Sequence, residues 1–236
     1  MVLPLNLAMT PSEFSTAASL PEKIAWMSCR FSTAGIGLEN LPESLPEGSL
    51  LILDDSTPCS GHNADEIAKI LDKLISRFSC SSLLLDFQRP RSKETIRIVS
   101  AIIEALPCPV AVTPEYAHNP SCAVFLPPAP LHMPLKTYLE PWSGREIWLE
   151  AALDREIVTL TKSGTAFLPV LTPDSLGGGF FSEELCCQYK TGVQKGEITF
   201  TLFDTPETLR KKLELAHSLG IPRAVGLYQE LNQYIK

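Results

Sequence analysis

Apolar residues come along this chain in short blocks: Val2 to Ala8, Ile24 to Cys29, Leu50 to Leu53, Leu83 to Phe87, Val110 to Val112, Ala123 to Leu126, Ile147 to Leu153 and Ala224 to Tyr228. Such runs predict strands buried on both faces, and the Pro, Asp, Ser or Gly that follows most of them marks the strand end. At least three precede amphipathic patterns. Ile67, Ile70, Leu71, Leu74 and Ile75 share one face of a helix over Ala64 to Phe78, and Ile96, Val99, Ile102 and Ile103 share one over Lys93 to Leu106. A third helix is predicted over Pro206 to Leu219, with Thr205 as its cap, Pro206 in the first turn, and Gly220 and Pro222 closing it. His217 falls near its Leu209 and Leu213 stripe, which makes it a helix residue rather than a ligand.

Eight strands alternating with crossover helices predict an α/β protein, a (β/α)8 TIM-like barrel. The barrel is partly degenerate, because Val110 to Leu126 leaves room for a loop but not a helix; an open α/β sheet is the alternative. The rhythm breaks between Asp154 and Phe203. There Glu156 to Leu160 and Thr165 to Val170 flank Lys162-Ser163-Gly164 like a hairpin, and Gln188 to Tyr189 and Ile198 to Phe203 flank another glycine-containing turn. The expected organisation is therefore a first part of the barrel over 1–153, a small β-rich or α+β insertion over 154–203, and a closing helix and last strand over 204–236. Gly177-Gly178-Gly179 reads as a plain loop, since no Lys-Ser/Thr follows and no strand leads into a helix there.

With 236 residues and 44% hydrophobic content, the chain can fill the core of one sizeable domain or of one domain carrying an insertion. A net charge of −7, without a basic stripe, argues against nucleic acid as a partner. The N-terminal residues lack a positively charged leader, and no apolar run approaches the roughly 18 to 20 residues of a membrane helix. The expectation is a soluble, cytoplasmic protein with no membrane partner; oligomeric state is not indicated. The seven cysteines have irregular spacing, which suits reduced thiols. Vicinal Cys186-Cys187 is either a soft-metal or redox pair or two small buried residues. Neither the cysteines nor the four histidines make a zinc pattern, so no metal or cofactor is expected.

The candidate site begins at Asp86 and Gln88. Strand side chains alternate with period two, so both point the same way at the carboxyl end of an apolar strand, where such folds build active sites. Asp86 can accept a proton or hold charge, whereas the Gln88 carboxamide does not titrate. Asp54 and Asp55 end the preceding strand, and Glu115 and Tyr116 follow Val110 to Val112, so these also belong at the predicted mouth. The alternatives are that Asp54 or Asp55 caps a turn and that Glu115 is a solvated loop residue, as His118 and His132 would be. Among aromatics near strand ends (Tyr116, Tyr138, Trp142, Trp148 and Tyr228), Trp142 and Tyr228 suit stacking on a flat ligand face, and Trp148 reads as core. Glu230 is placed as a further cleft residue.

The run Asp86-Phe87-Gln88-Arg89-Pro90 resembles the fourth barrel strand of family 18 glycoside hydrolases, the chitinase-like family, which carry D-x-x-D-x-D-x-E. The acidic positions fall on Ser81, Leu84, Asp86 and Gln88, so one carboxylate of the set is kept. The segment from Leu202 through Gly220 to Tyr228 is similar to the family's closing helix and strand, with Tyr228 in the place of the aromatic beneath the sugar. The family's Tyr-Asp pair on the sixth strand has no counterpart in Ala123 to Pro128. The resemblance implies cleavage assisted by the substrate's N-acetyl group, with the glutamate as general acid and the neighbouring aspartate orienting the acetamide. With Gln88 in the acid's place, it implies a protein that has lost hydrolysis and binds a glycan or related small ligand. Two alternatives stand beside it: an active hydrolase using a relocated carboxylate, Glu115 or Asp55 with Asp86, and a non-enzymatic structural or assembly barrel.

Overall fold

Strands enclosed between a barrel interior and an outer layer have no solvent face, and the apolar runs fold accordingly. A computed structural model describes residues 3–35, 37–162, 164–169, 178–194 and 197–233. Val2, Ser163, Val170 and Gly177, which the expected strands and turns include, lie outside them. The first strands are β1 (Leu5–Met9), β2 (Ile24–Phe31), the two-residue β3 (Leu38–Glu39), β4 (Leu50–Asp54), β5 (Ser82–Asp86), β6 (Val110–Val112), β7 (Ala123–Leu126) and β8 (Ile147–Ala151). Then come β9 (Arg155–Thr161), β10 (Gly164–Pro169), β11 (Phe180–Ser182), β12 (Cys187–Gln194) and β13 (Glu197–Phe203), and finally β14 (Arg223–Leu227).

Parallel pairing runs β1-β2-β4-β5-β6-β7-β8-β14 and returns to β1, which closes an eight-stranded (β/α)8 barrel. All eight predicted runs supply its strands. β3 adds antiparallel to β2 outside the ring. The long crossover helices keep their predicted places over Ala64–Phe78 and Lys93–Ala105. Asn63 caps the first by accepting from the amides of Asp65 and Glu66, and Ser92 with Thr95 forms a capping box on the second. Between β6 and β7 there is only a single 3₁₀ turn, Pro114–Tyr116. There Arg145 ties the loop down, its guanidinium donating to the carbonyls of Ala117, Asn119 and Cys122.

Inward positions fill the barrel in layers, as the period of two requires. Ala8, Ala25, Leu50, Ile52, Leu84, Ala111, Phe125, Trp148 and Val225 form one buried cluster. At the amino-terminal ends of the strands, the Arg223 guanidinium lies 4.5 Å from the Trp148 ring centre and donates to the hydroxyl of buried Ser82. Trp148 is thus a core residue, 1% exposed, whose indole N–H donates to Glu146.

By contact density the chain divides into two units. One comprises Pro4–Leu126, Arg145–Glu150 and Pro222–Lys236 and holds the barrel; the other is built mainly from Pro127–Gly144 and Ala151–Ile221. The second contains an antiparallel five-stranded sheet, ordered β10-β9-β13-β12-β11, around Leu131, Val158, Cys187 and Leu202. The helix Pro206–Ser218 groups with this sheet, anchored by the Lys212 ammonium 2.8 Å from the buried Asp204 carboxylate. Cys186 and Cys187 are both buried here, and burial pushes the Cys187 thiol up to about 12. Among the described residues no helix is long and apolar enough to cross a membrane.

Candidate functional site

Three strands carry their inward alternation one step past the apolar layers into acidic residues. Asp54 follows Ile52 on β4, Asp86 follows Leu84 on β5, and Glu150 follows Trp148 on β8, each two positions on. All three line a cavity of about 240 Å³ at the carboxyl-terminal ends of the barrel strands, with Gln88 beside them. Its apolar walls are Ile52, Leu84, Phe125, Val225 and Leu227.

Asp54 and Asp86 are register partners on adjacent parallel strands. Gln88 reaches back along its own chain, its Nε2 donating to Asp86 Oδ1 over 2.6 Å. Burial pushes the Asp86 carboxyl above the ordinary carboxylate range, the Gln88 bond draws it back, and the negative charges of Asp54 and Asp55 push it up again. Asp54 is held by an Asx turn in which its Oδ1 accepts from the Ser56 amide at 2.8 Å.

Asp55 has a different task. Its side chain is 3% exposed, and its two oxygens accept from the backbone amides of Gln88 (2.8 Å) and Arg89 (2.9 Å). Arg89 returns the tie, donating to the carbonyls of Asp55 and Ser56. Phe87 is buried beneath this crossing, with the Tyr116 ring edge-on at 5.7 Å and the Thr113 hydroxyl donating to the Phe87 carbonyl. Tyr116 itself is 4% exposed, and its hydroxyl donates to the Arg89 carbonyl. These residues hold Gln88 at the mouth without lining the cavity.

Of the residues predicted from sequence, Asp54, Asp86 and Gln88 therefore meet at the cavity. Asp55 and Tyr116 support it from behind. Glu115 is exposed in the 3₁₀ turn and does not line it, so neither proposed relocated acid, Glu115 nor Asp55, faces Asp86 across the cavity. Tyr228 starts a four-residue helix, Tyr228–Leu231, because β14 ends at Leu227, one residue earlier than its apolar run suggests. Gly226 and Leu227 line the cavity in its stead, while Tyr228 and Glu230 are half-buried in that helix. Trp142 is half-buried in the second unit, where His132 also lies, bonded to Glu156 at 2.7 Å.

Two lining residues with polar side chains, Glu150 and Ser28, are not among the sequence candidates. Glu150 was legible in principle, since a core Trp148 obliges position 150 to face inward as well. Ser28 was not. It lies where the β2 register shifts against β4, with φ of 79°, a left-handed conformation rare for a residue with a side chain. The bulge turns Ser28 to the cavity and leaves Cys29 fully buried, its thiol pushed up to about 12 by burial and by Asp54.

No protein-family model and no curated protein matches the sequence. Solved structures match the fold. A family 18 chitinase from Cycas revoluta, in complex with (GlcNAc)3, superposes with a TM-score of 0.58 at 12% identity, over 98% of this chain and 95% of that one. A family 18 N-acetylglucosaminidase from Paenibacillus barengoltzii gives 0.56 at 12% identity, covering 95% and 94%. The spore cortex-lytic enzyme SleL of Bacillus cereus gives 0.54 at 10% identity, covering 95% of this chain and 70% of its own. In fold, then, this chain is a (β/α)8 barrel similar to those of these family 18 glycoside hydrolases.

Proposed function

We propose that the barrel mouth binds a carbohydrate and does not cleave it by the substrate-assisted route of family 18. The observation that carries this reading is the Gln88 carboxamide, which lines the cavity and donates to Asp86 where the resemblance places the general acid. A carboxamide holds a sugar hydroxyl but cannot protonate a leaving oxygen. A Cycas revoluta chitinase bearing a glutamate-to-glutamine change is itself described in complex with (GlcNAc)4, which supports the compatibility of such a groove with an oligosaccharide.

Calorimetry with N-acetylglucosamine oligomers tests the reading: saturable binding without turnover is expected, and absence of binding to any glycan sinks it in favour of a structural or assembly barrel. Gln88→Glu is expected to gain hydrolysis. A second reading, an active hydrolase with a relocated acid, draws support from Glu150, the carboxylate that lines the cavity from β8. It requires turnover by the unaltered protein that Glu150→Gln abolishes.

A further inference from the structure

The five-stranded sheet of the second unit has two unlike faces, and its apolar face is only half covered. The alternation Val158-Thr159-Leu160 on β9 and Ile198-Thr199-Phe200-Thr201 on β13 sends hydrocarbon to one side and hydroxyls to the other. On the apolar side Val158, Cys187 and Leu202 are buried with Leu131. Toward the carboxyl ends of β9 and β12 that cover stops. Leu160, Phe167, Val193 and Ile198 are exposed there, as is Phe180 on β11, from 38% for Leu160 to 74% for Val193. The pairing registers put all five on the same side as Val158.

We infer that a second copy of this chain covers the face, packing sheet on sheet about a twofold axis that runs along β13. The strand order β10-β9-β13-β12-β11 has β13 at its centre, so that axis lays β9 of one copy over β12 of the other and β10 over β11. Leu160, Ile198 and Val193 form one row across the three central strands. Ile198 then meets its own copy on the axis, Leu160 meets Val193 on both sides of it, and Phe167 and Phe180 close the flanks. Among the described residues the one charged side chain on this face is Glu156, bonded to His132 at 2.7 Å, so two chains of net charge −7 meet here without opposed carboxylates. The five side chains expose on the order of 400–500 Å² per copy, the size at which an apolar patch is commonly an interaction site. Two copies with the half-buried rings of Tyr189 and Phe200 bring the buried area to about the 1,200 Å² at which specific interfaces begin. A glycan is the poorer occupant, because the exposed side chains are hydrocarbon and a sugar needs hydrogen-bonding groups beside its ring faces.

Sedimentation equilibrium of the full chain, from about 1 to 100 μM, provides the test; a dimer with a Kd on the order of 10 μM or tighter is expected. Val193→Glu changes the most exposed of the five positions, so its melting temperature is expected to hold. Its dimer is expected to weaken about tenfold or more, because each half of the interface then sets a carboxylate against Leu160. Leu160→Lys is expected to weaken the dimer likewise. An equimolar mixture of the two variants is expected to pair again, since one Glu–Lys contact and one unaltered apolar contact then replace two mismatches. Should Leu160→Lys melt early, Phe180→Ser on the flank serves as the second dissociating variant. A chain that stays monomeric throughout this range, a dimer that survives Val193→Glu, or folded variants that fail to pair when mixed overturns the inference. So does a monomer whose binding of N-acetylglucosamine oligomers is lost in Val193→Glu, which would assign the face to sugar.

Discussion

The backbone amide of Gln88 donates to the buried carboxylate of Asp55 across 2.8 Å, so the position of the one carboxamide at the mouth is set by an acid outside it. Asp55 spends both oxygens on consecutive amides of the β5 loop, and Arg89 locks the same crossing from the other side. Removing that carboxylate leaves two partly buried N–H donors without partners, at up to about 1–3 kcal/mol each. Asp55→Ala is therefore expected to lower stability by about 2–4 kcal/mol in urea denaturation, and to weaken ligand binding although residue 55 does not line the cavity. Unchanged stability would show that the crossing is not what orders the loop.

Asp86 is expected to trade stability for its place in the site. Its carboxyl is raised in the folded protein by burial and by Asp54, so the native state holds that proton more firmly than the unfolded chain. For a group raised in this way, the stabilising contribution is fully present below the ordinary carboxylate range and is lost as pH rises through the folded value. Asparagine keeps an acceptor for Gln88 Nε2 and cannot ionise. Asp86→Asn should therefore melt at higher temperature than the unaltered protein at pH 7, with the gap closing as the pH falls below the normal aspartate range. A gap that widens toward acid would mean that Asp86 is held charged by a partner, the reverse of the arrangement described.

Ser28 pays a backbone cost of about 1–2 kcal/mol for a left-handed conformation. Glycine relieves the strain but adds about 0.5–1 kcal/mol of unfolded-state entropy. Ser28→Gly is expected to be neutral to about 1 kcal/mol stabilising by chemical denaturation. Ser28→Val, with a branched side chain at the same φ, should destabilise by more than about 1 kcal/mol. If valine is tolerated as well as glycine, the bulge re-forms at little cost and does not fix the cavity wall.

What the sequence discloses here follows the range of each interaction. The barrel strands are visible because β4 and β5 are buried at each of their first four positions, which demands Leu-Leu-Ile-Leu and Ser-Leu-Leu-Leu before the acids that end them. Capped helices are visible because Asn63 and Ser92 act within three residues. Asp54, Asp86 and Gln88 reach the cavity by simple alternation. Asp55 escapes that reasoning because its partners lie 33 and 34 residues away, and only tertiary folding decides that it turns from the mouth. Tyr116 is misplaced for the same reason: its hydroxyl bonds Arg89 in a neighbouring loop, and its ring closes over Phe87. Ser28 lacks any local signature, since no glycine marks the bulge. Glu150 was hidden only by the apolar company of Ile147, Trp148 and Leu149.

Thiol chemistry provides an independent check of the packing. Six of the seven cysteines are buried, and Cys108 alone is half-exposed. Burial pushes Cys80 up to about 11, and Cys29 and Cys187 up to about 12. Attack on a disulfide reagent needs the thiolate, so near pH 8 each buried thiol is slowed by access, and Cys29, Cys80 and Cys187 also by a thiolate fraction on the order of 10⁻³ or less. A chromogenic disulfide reagent is expected to titrate about one thiol per chain quickly, with the rest released only on unfolding. Cys108→Ser should remove the fast phase. Cys29 is the most telling of the slow group, because it stands immediately after Ser28 and takes its burial from the same bulge. Ser28→Val, by forcing the strand to re-register, should bring Cys29 into the fast phase; if that cysteine stays protected, β2 holds its inward face without the left-handed residue, and the cavity wall formed by Ser28 has another cause.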